Sequence, residues 1–248
     1  MNRNFLENFK RNYIKEKKEK LLAEGKISWL DPEKIEKQSI LNSLIEARGH
    51  IKGRLLDIGC ADKPYEVIFK DRFKKYIGID LPIAAEVHKK IYRVDIYASV
   101  LELPCKLESF DTILSTQVLE HLPEPRMSLQ EAFRVLKKGG YLILTAPMVW
   151  ELHETPFDYY RFTKYGLINL AEGAGFKIIY IKARGGIWAV VGQRLSSIVY
   201  RLRGEPKSII TMAIKVLFCV VIQALFLILD KVNKDERETL GYIMVAQK

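Results

Sequence analysis

The chain has 248 residues, of which 48% are hydrophobic and 28% charged, and this composition excludes a disordered or fibrous protein. The formal net charge is +10, but the excess is local: residues 1–20 carry seven basic and three acidic side chains, and residues 182–215 carry seven and one. The rest of the chain carries equal numbers of basic and acidic residues, which is not typical of a uniformly basic nucleic-acid-binding protein. Three scattered cysteines and a polar, charged first segment indicate a reducing, cytoplasmic setting.

Two helices are predicted before the first strand. Residues 4–24 form a basic amphipathic pattern that Gly25 can end, and a second helix is expected to begin at Asp31 and Pro32 and to end near Gly49. We therefore expect residues 1–50 to form an N-terminal helical extension and residues 51–248 to form the main domain.

Short apolar runs alternate with helix-length segments from residue 54 onward. The main helices between them are predicted at 125–137 and 163–172. The predicted strands are 54–59, 75–80, 93–95, 110–115, 140–146, 176–181 and 241–246. This alternation predicts a doubly wound α/β fold, whose parallel strands bind ligands at their carboxyl ends.

Two of these strand ends carry residues suited to a nucleoside. The first strand runs through Asp57 into a small-residue turn containing Gly59 and Ala61. The turn alone fits a purely structural role equally well. The second strand ends in Asp80, about 20 residues after the turn, where a carboxylate can accept hydrogen bonds from two ribose hydroxyls. Since no Gly-Lys-Ser/Thr phosphate loop is present, the pair favours a nucleoside over a bare phosphate.

Five segments in order resemble the class I S-adenosylmethionine (SAM)-dependent methyltransferases. They are Asp57-Ile-Gly-Cys-Ala61, Gly78-Ile-Asp80, Asp95-Ile96, the run from Phe110 to His121, and the run from Arg134 to Gly140. The resemblance implies SAM as cofactor and a Rossmann-like seven-stranded sheet of order 3-2-1-4-5-7-6, with the last strand antiparallel. It implies cofactor binding by Asp57, Gly59, Ala61, Asp80, Asp95, Ile96 and Thr116.

Ala61 departs from the family pattern, which has a second glycine at this place. Its methyl group is expected to crowd the path of the cofactor, and therefore to weaken or shift SAM binding.

A finer resemblance lies after the fifth strand. The block from His153 to Thr163 is similar to one in bacterial and archaeal methyltransferases that are often linked to surface-glycan or lipid pathways. It implies His153 and Glu154 as catalytic residues. It also implies substrate binding by Tyr160 and Arg161. Substrate binding by His121 is expected from the matching motif after the fourth strand, and the alternative for His121 is to hydrogen-bond within that loop and shape the pocket. The alternatives are that the aromatic residues only pack, and that Asp158 and Arg161 form an i,i+3 ion pair. No metal is expected.

Residues 183–233 are predicted to form a hydrophobic helical insertion before the last strand. Its segment 209–229 would be about 31 Å long as a helix, which is membrane length. A lone crossing would place the last strand on the wrong side, so we expect monotopic or re-entrant attachment to the inner face of the membrane. Anionic headgroups would meet the basic residues Arg194, Arg201, Arg203 and Lys207. The alternatives are that the insertion covers the chain's own surface or forms a homodimer interface.

These features predict methyl transfer from SAM to an oxygen of a small-molecule acceptor at the cytosolic membrane surface, one that is lipid-linked, a glycan or quinone-like. Two alternatives stay open. One is an RNA methyltransferase, suggested by the net charge of +10. The other is a catalytically inactive SAM-binding or membrane scaffold module, suggested by Ala61.

Overall fold

The computed structural model describes residue 16 and residues 19–82, 93–202, 209–233 and 235–248, without the side chains of residues 209 and 210. Most of the helix predicted at 4–24 therefore lies outside the described residues. Its last part is helical at 19–23, and Gly25 takes a φ of +71°, which ends the helix as expected.

Seven strands form one sheet in the order β3-β2-β1-β4-β5-β7-β6. Strands β1 to β5 pair in parallel, and β7 is antiparallel to both β5 and β6. The strands are β1 Arg54–Ile58, β2 Lys75–Asp80, β3 Ile96–Tyr97, β4 Phe110–Thr116, β5 Leu136–Pro147, β6 Lys177–Ala183 and β7 Gly241–Gln247. The predicted fold class and strand order are thus confirmed.

Strand boundaries differ from the prediction by one or two residues in most strands and by more in β3 and β5. β3 comprises residues 96 and 97 rather than 93–95, because Ile96 pairs with Ile79 while the Asp95 side chain is bound elsewhere. β5 begins at Leu136, which pairs with Phe110, so the preceding helix ends at Val135 rather than 137.

Six helices are described between and before these strands. They are α1 Lys34–Ala47, α2 Glu66–Phe69, α3 Pro125–Val135, α4 Lys164–Gly173, α5 Ile187–Arg201 and α6 Ile209–Val232. Thr163 caps α4 by accepting from Gly166 N. Helix α1 begins at Lys34, later than predicted, but Asp31 still accepts from the Glu33 amide at 2.9 Å.

Apolar layers cover both faces of the sheet. Helix α1 packs on one face, against alternate strand residues such as Leu55 and Leu114. Helices α3 and α4 pack on the other, against Leu56 and Ile113. Each of these four side chains is fully buried, which contributes roughly 1.5–3 kcal/mol per side chain. The two layers hold the carboxyl ends of β1, β2, β4 and β5 at one edge.

Helices α5 and α6 form a hairpin inserted between the paired strands β6 and β7. Asp230 near the end of α6 accepts from the Gly186 and Ala189 amides at 3.0 and 3.1 Å, which closes the base of the hairpin. Arg184, which follows β6, forms a buried 2.9 Å ion pair with Glu36 on α1. The insertion is therefore tied to both the sheet and the N-terminal helix.

Candidate active site

The turn after β1 is tight and partly strained. The amides of Gly59 and Cys60 donate to Ile79 O at 2.9 and 3.1 Å. Gly59, Ala61 and Lys63 all have positive φ values, of 69°, 45° and 56°. Alanine and lysine rarely adopt this region, and such residues cluster at functional sites. The family's glycine at position 61 would suit this φ, so the departure seen in the sequence is a real conformational cost.

Gly59 also has no room for a side chain. A Cβ there would overlap Val118 Cγ2 and lie 3.1 Å from Cγ1. The turn after β1 therefore packs directly against the loop after β4, and the two loops form one continuous edge.

Asp80 lies at the end of β2, facing this turn. Its Oδ2 accepts from the Ala61 amide and its Oδ1 from the Leu81 amide, both at 2.8 Å. The structure thus brings together Gly59, Ala61 and Asp80, the residues expected to hold the nucleoside. These backbone amides fix the orientation of the carboxylate.

Asp95 is held by Lys63, a residue that the sequence reasoning missed. The nearly buried Lys63 ammonium pairs with Asp95 Oδ2, which also accepts from the Gly78 amide at 2.7 Å. Burial alone would raise the pKa of Asp95, but these bonds lower it below its ordinary value. Contact of Asp95 and Ile96 with adenine stays a prediction. The Asp95 carboxylate already binds two partners, Lys63 and the Gly78 amide.

Asp57 is buried within β1 and is not open to solvent. Tyr76 on the neighbouring strand donates to its Oδ2 at 2.5 Å. Burial raises the pKa of Asp57 to about 7, although the Tyr76 bond opposes the rise. No sequence motif predicts this role of Tyr76, because it depends on the position of Tyr76 next to Asp57 in the folded sheet.

Thr116 ends β4 at the same edge. Its hydroxyl is buried and has no hydrogen-bond partner among the described residues, as expected for a group reserved for a ligand or water. The next residue, Gln117, has a φ of +56° and is tied to β5 by its amide, which donates to Thr145 O at 3.0 Å.

The loop of residues 150–163 follows β5 and is called the acceptor loop below. Arg161 organises it, donating to Asp158 at 2.6 and 2.8 Å and to the carbonyls of Trp150, Glu151 and Tyr160. These bonds use all five guanidinium N–H groups. They also hold the pKa of Asp158 well below its usual range. The i,i+3 ion pair considered from the sequence is present, and substrate binding by Arg161 would require breaking one of its bonds.

The acceptor loop is bound to the loop after β4 through main-chain contacts. Glu120 O accepts from the Tyr159 and Tyr160 amides at 2.8 and 3.2 Å, and the Tyr160 hydroxyl donates to Pro123 O at 3.1 Å. The ring of Tyr160 stays partly exposed, so its predicted role in substrate binding stays a prediction.

Two imidazoles and two carboxylates meet between these loops. The rings of His121 and His153 lie edge to face, with centroids 4.7 Å apart. His121 Nε2 is 3.8 Å from Glu154 Oε2 and 4.0 Å from Glu120 Oε1. Burial raises the pKa of Glu120 to about 8. Glu154 takes a φ of +53°. The candidate catalytic residues His153 and Glu154 thus face His121, and Glu120 is the member of the group that the sequence reasoning missed.

Known methyltransferases resemble this chain in sequence. Residues 56–144 match the family model described as a methyltransferase domain. A Mycolicibacterium smegmatis protein, described as a probable S-adenosylmethionine-dependent methyltransferase, is 30% identical over 50% of this chain and 52% of its own. The ubiquinone biosynthesis O-methyltransferase of Pseudomonas fluorescens is 27% identical over 41% of this chain and 47% of its own. The chain spans about half the length of the curated relatives it matches.

Solved structures share the fold over most of the chain. A SAM-dependent methyltransferase from Archaeoglobus fulgidus aligns with a TM-score of 0.53 at 17% identity, covering 84% of this chain and 91% of its own. The [4+2]-cyclase SpnF aligns with a TM-score of 0.55 at 22% identity, covering 85% and 81%. Because one of these folds carries a cyclase, the fold alone does not fix the reaction.

Proposed function

We propose that this chain, whose sequence and fold are similar to those of class I SAM-dependent methyltransferases, methylates an oxygen atom of a lipid-linked, glycan or quinone-like acceptor at the cytosolic surface of a membrane. The methyltransferase-domain match over residues 56–144 and the SAM-dependent relative support the reaction type and SAM as the cofactor. The acceptor and the membrane setting are the proposal.

The residues at the carboxyl edge fit SAM. Gly59 supplies a turn without a side chain, and Asp80 supplies a carboxylate oriented toward that turn. Thr116 supplies a buried hydroxyl that has no hydrogen-bond partner within the described part of the chain. When bound, SAM supplies a methyl group made electrophilic by its sulfonium. The chain's own task is to hold the acceptor in line with that methyl group and to exclude water.

His153 is the proposed general base for an acceptor hydroxyl. Its Nδ1 lies 3.1 Å from Glu151 O and 3.3 Å from Asp158 Oδ2. A carbonyl only accepts, so Nδ1 carries the proton and the other ring nitrogen keeps a lone pair. That nitrogen can take the hydroxyl proton, while the buried Asp158 fixes the tautomer and orients the ring.

The observation that carries the membrane proposal is the inverted polarity of the insertion. Gln193, Ser196 and Gln223 are buried and bond to one another or to the carbonyls of Asp31 and Pro32. The exposed large hydrophobic residues of α6 are Met212, Ile214, Leu217, Phe218, Val221, Leu225, Ile228 and Val232, and the other exposed residues described between them and at the helix ends are Thr211, Ala213 and Lys231. A surface helix in water normally has the opposite arrangement.

The length and position of α6 favour attachment in the membrane plane. Thr211–Val232 has a mean hydropathy of 2.6 and could cross a membrane by length and composition. However, the insertion leaves the sheet at β6 and returns to its neighbour β7, so a single crossing would separate two paired strands. An in-plane helix keeps both strands on one side.

The acceptor loop is joined to the hairpin through α5. Glu151 of that loop pairs with Arg201 on α5, through an Arg201 NH1–Oε2 bond of 2.5 Å, and lies 4.0 Å from Arg194. Leu152 and Phe157 of the same loop are exposed. An acceptor with an apolar part could therefore lie on the hairpin while its hydroxyl reaches His153.

A vesicle experiment tests this setting. The full-length protein is sedimented with phosphatidylcholine vesicles containing or lacking about one quarter phosphatidylglycerol, and binding that is stronger to the anionic vesicles is expected. The double variant Leu217→Asp/Val221→Asp should stay in the supernatant. Leu107→Asp alters a leucine of similar exposure (65% against 62% for Leu217) outside the hairpin and should bind normally.

Other results would point to the alternatives. The wild-type chain could bind neither type of vesicle and instead form a dimer that the double variant does not form. That result would identify the apolar face as a homodimer interface rather than a membrane-binding surface. Binding to RNA that weakens steeply with salt would favour an RNA methyltransferase. SAM binding without methyl transfer to any lipid, glycan or quinol acceptor would favour the inactive module.

A further inference from the structure

Glu120, His121 and His153 converge where the loop after β4 meets the acceptor loop. One ligand atom from each of the three side chains lies within 4.8 Å of the other two. Two imidazole nitrogens and one carboxylate form a common ligand set for divalent transition metals in proteins.

Glu120 provides independent support for a cation here. The side chain is 0% exposed, and neither carboxylate oxygen accepts a hydrogen bond from any described residue. A buried polar group without a partner is costly and rare. The two oxygens lie beside the His121 ring, with His121 Nε2 4.0 Å from Oε1. A metal ion would offset the cost of burying this acid.

Both histidines are prepared for coordination by their other nitrogen. His121 Nδ1 lies 2.7 Å from Phe157 O, and His153 Nδ1 lies 3.1 Å from Glu151 O. A carbonyl partner fixes the proton on Nδ1, so Nε2 keeps the lone pair that a metal ion needs. Metal-bound histidines in proteins are typically fixed in this way by a carbonyl or carboxylate.

We propose that Glu120, His121 and His153 form a binding site for one divalent transition metal ion of the zinc class, with coordination positions left open toward the acceptor loop. Bonds of about 2.0–2.2 Å would draw the ligand atoms together by about an ångström. The sequence predicted no metal, because the three residues come from two separate loops and carry no thiol. The proposal goes beyond the proposed function, since it holds for any acceptor. It uses the same His153 nitrogen as the proposed general base, so a bound ion would take the place of that base by lowering the pKa of an acceptor hydroxyl coordinated to it.

Metal binding to the full-length protein tests the site directly. After dialysis against a chelator, Zn²⁺ is titrated by calorimetry, and Co²⁺ is added as a probe whose visible absorption reports nitrogen and oxygen ligands. One ion per chain is expected. Glu120→Gln and His153→Ala should each weaken binding by more than about 100-fold. His50→Gln, a histidine placed before β1 at the opposite edge of the sheet, should leave it unchanged.

Thermal unfolding separates a metal ligand from a merely structural residue. Glu120→Gln replaces the buried carboxyl group by a neutral group of the same shape, so the metal-free variant should unfold at the same or a higher temperature than the wild type. Only the wild type and His50→Gln should gain stability from Zn²⁺. SAM affinity, measured in parallel, should equal that of the wild type in every variant. That result would show that the substitutions change the metal site without disturbing the SAM-binding site.

Two results would overturn the proposal. One is a wild-type chain that takes up neither Zn²⁺ nor Co²⁺ at micromolar concentrations. The other is a Glu120→Gln protein that binds SAM normally and still binds the ion as tightly as the wild type.

Discussion

Gly59→Ala should destabilise the chain through two separable effects. The first is conformational, because Gly59 has a φ of +69°, a region that costs an L-residue about 1 kcal/mol. The second is steric, because the added Cβ would overlap Val118 Cγ2 and lie 3.1 Å from Cγ1. Val118 is itself buried and has little space to yield.

Gly139→Ala isolates the first effect. Gly139 has nearly the same φ, +71°, but a Cβ there would find its nearest neighbour, Gln247 Nε2, at 4.0 Å. We expect Gly139→Ala to lower the free energy of unfolding by about 1 kcal/mol. Gly59→Ala should add the cost of overpacking, about 1–3 kcal/mol, for a total of about 2–4 kcal/mol.

Urea unfolding followed by circular dichroism provides the measurement, with unchanged m-values as the condition for comparing the variants. The double variant Gly59→Ala/Val118→Ala should cost about 1–2 kcal/mol less than the sum of its parts, because the truncated valine makes room for the new methyl group. Equal destabilisation by Gly59→Ala and Gly139→Ala would refute the packing of the two loops against each other.

Three further predictions concern the site. Asp80→Ala should weaken SAM binding by about tenfold or more in calorimetry, because the carboxylate expected to hold the ribose is lost; unchanged affinity would remove Asp80 from the cofactor site. His153→Ala should abolish methyl transfer while SAM affinity stays normal, and equal loss of both would make the residue structural. Asp57 has a pKa raised to about 7, so the native state retains a proton that the unfolded state releases near pH 4. Stability should therefore fall between about pH 4 and pH 7, by up to about 4 kcal/mol, and level off above that. Asp57→Asn should lack this component in unfolding curves across that range, and a slope identical to the wild type would show that Asp57 does not titrate there.

The sequence was informative where local pattern determines structure. Alternating apolar runs located β1, β2 and β4, and the acid at the end of β2 was visible as Asp80. Motifs could not reveal Lys63 and Tyr76, because each acquires its role from a partner on a neighbouring strand or loop. Glu120 was hidden for a related reason: a glutamate beside a histidine looks like an exposed pair until the packing of the acceptor loop buries it.

Helix ends were harder to predict than helix positions. The start of α1 moved because Asp31 and Pro32 form a turn whose carbonyl oxygens accept bonds from Gln223 and Gln193 of the insertion. That interaction joins residues far apart in the chain, so no local rule could have shown it.

The bonds between Asp230 and the amides of Gly186 and Ala189 have a mechanical consequence. They clamp the hairpin at its base, and Glu151 joins its outer part to the acceptor loop. The apolar face is thus held rigidly relative to the sheet and the acceptor loop, and is not connected to them by a flexible linker. On a bilayer, this rigid attachment would fix both the distance of the candidate site from the membrane surface and its tilt relative to that surface. Acceptors would then be selected by how far their reactive oxygen projects above the lipid plane.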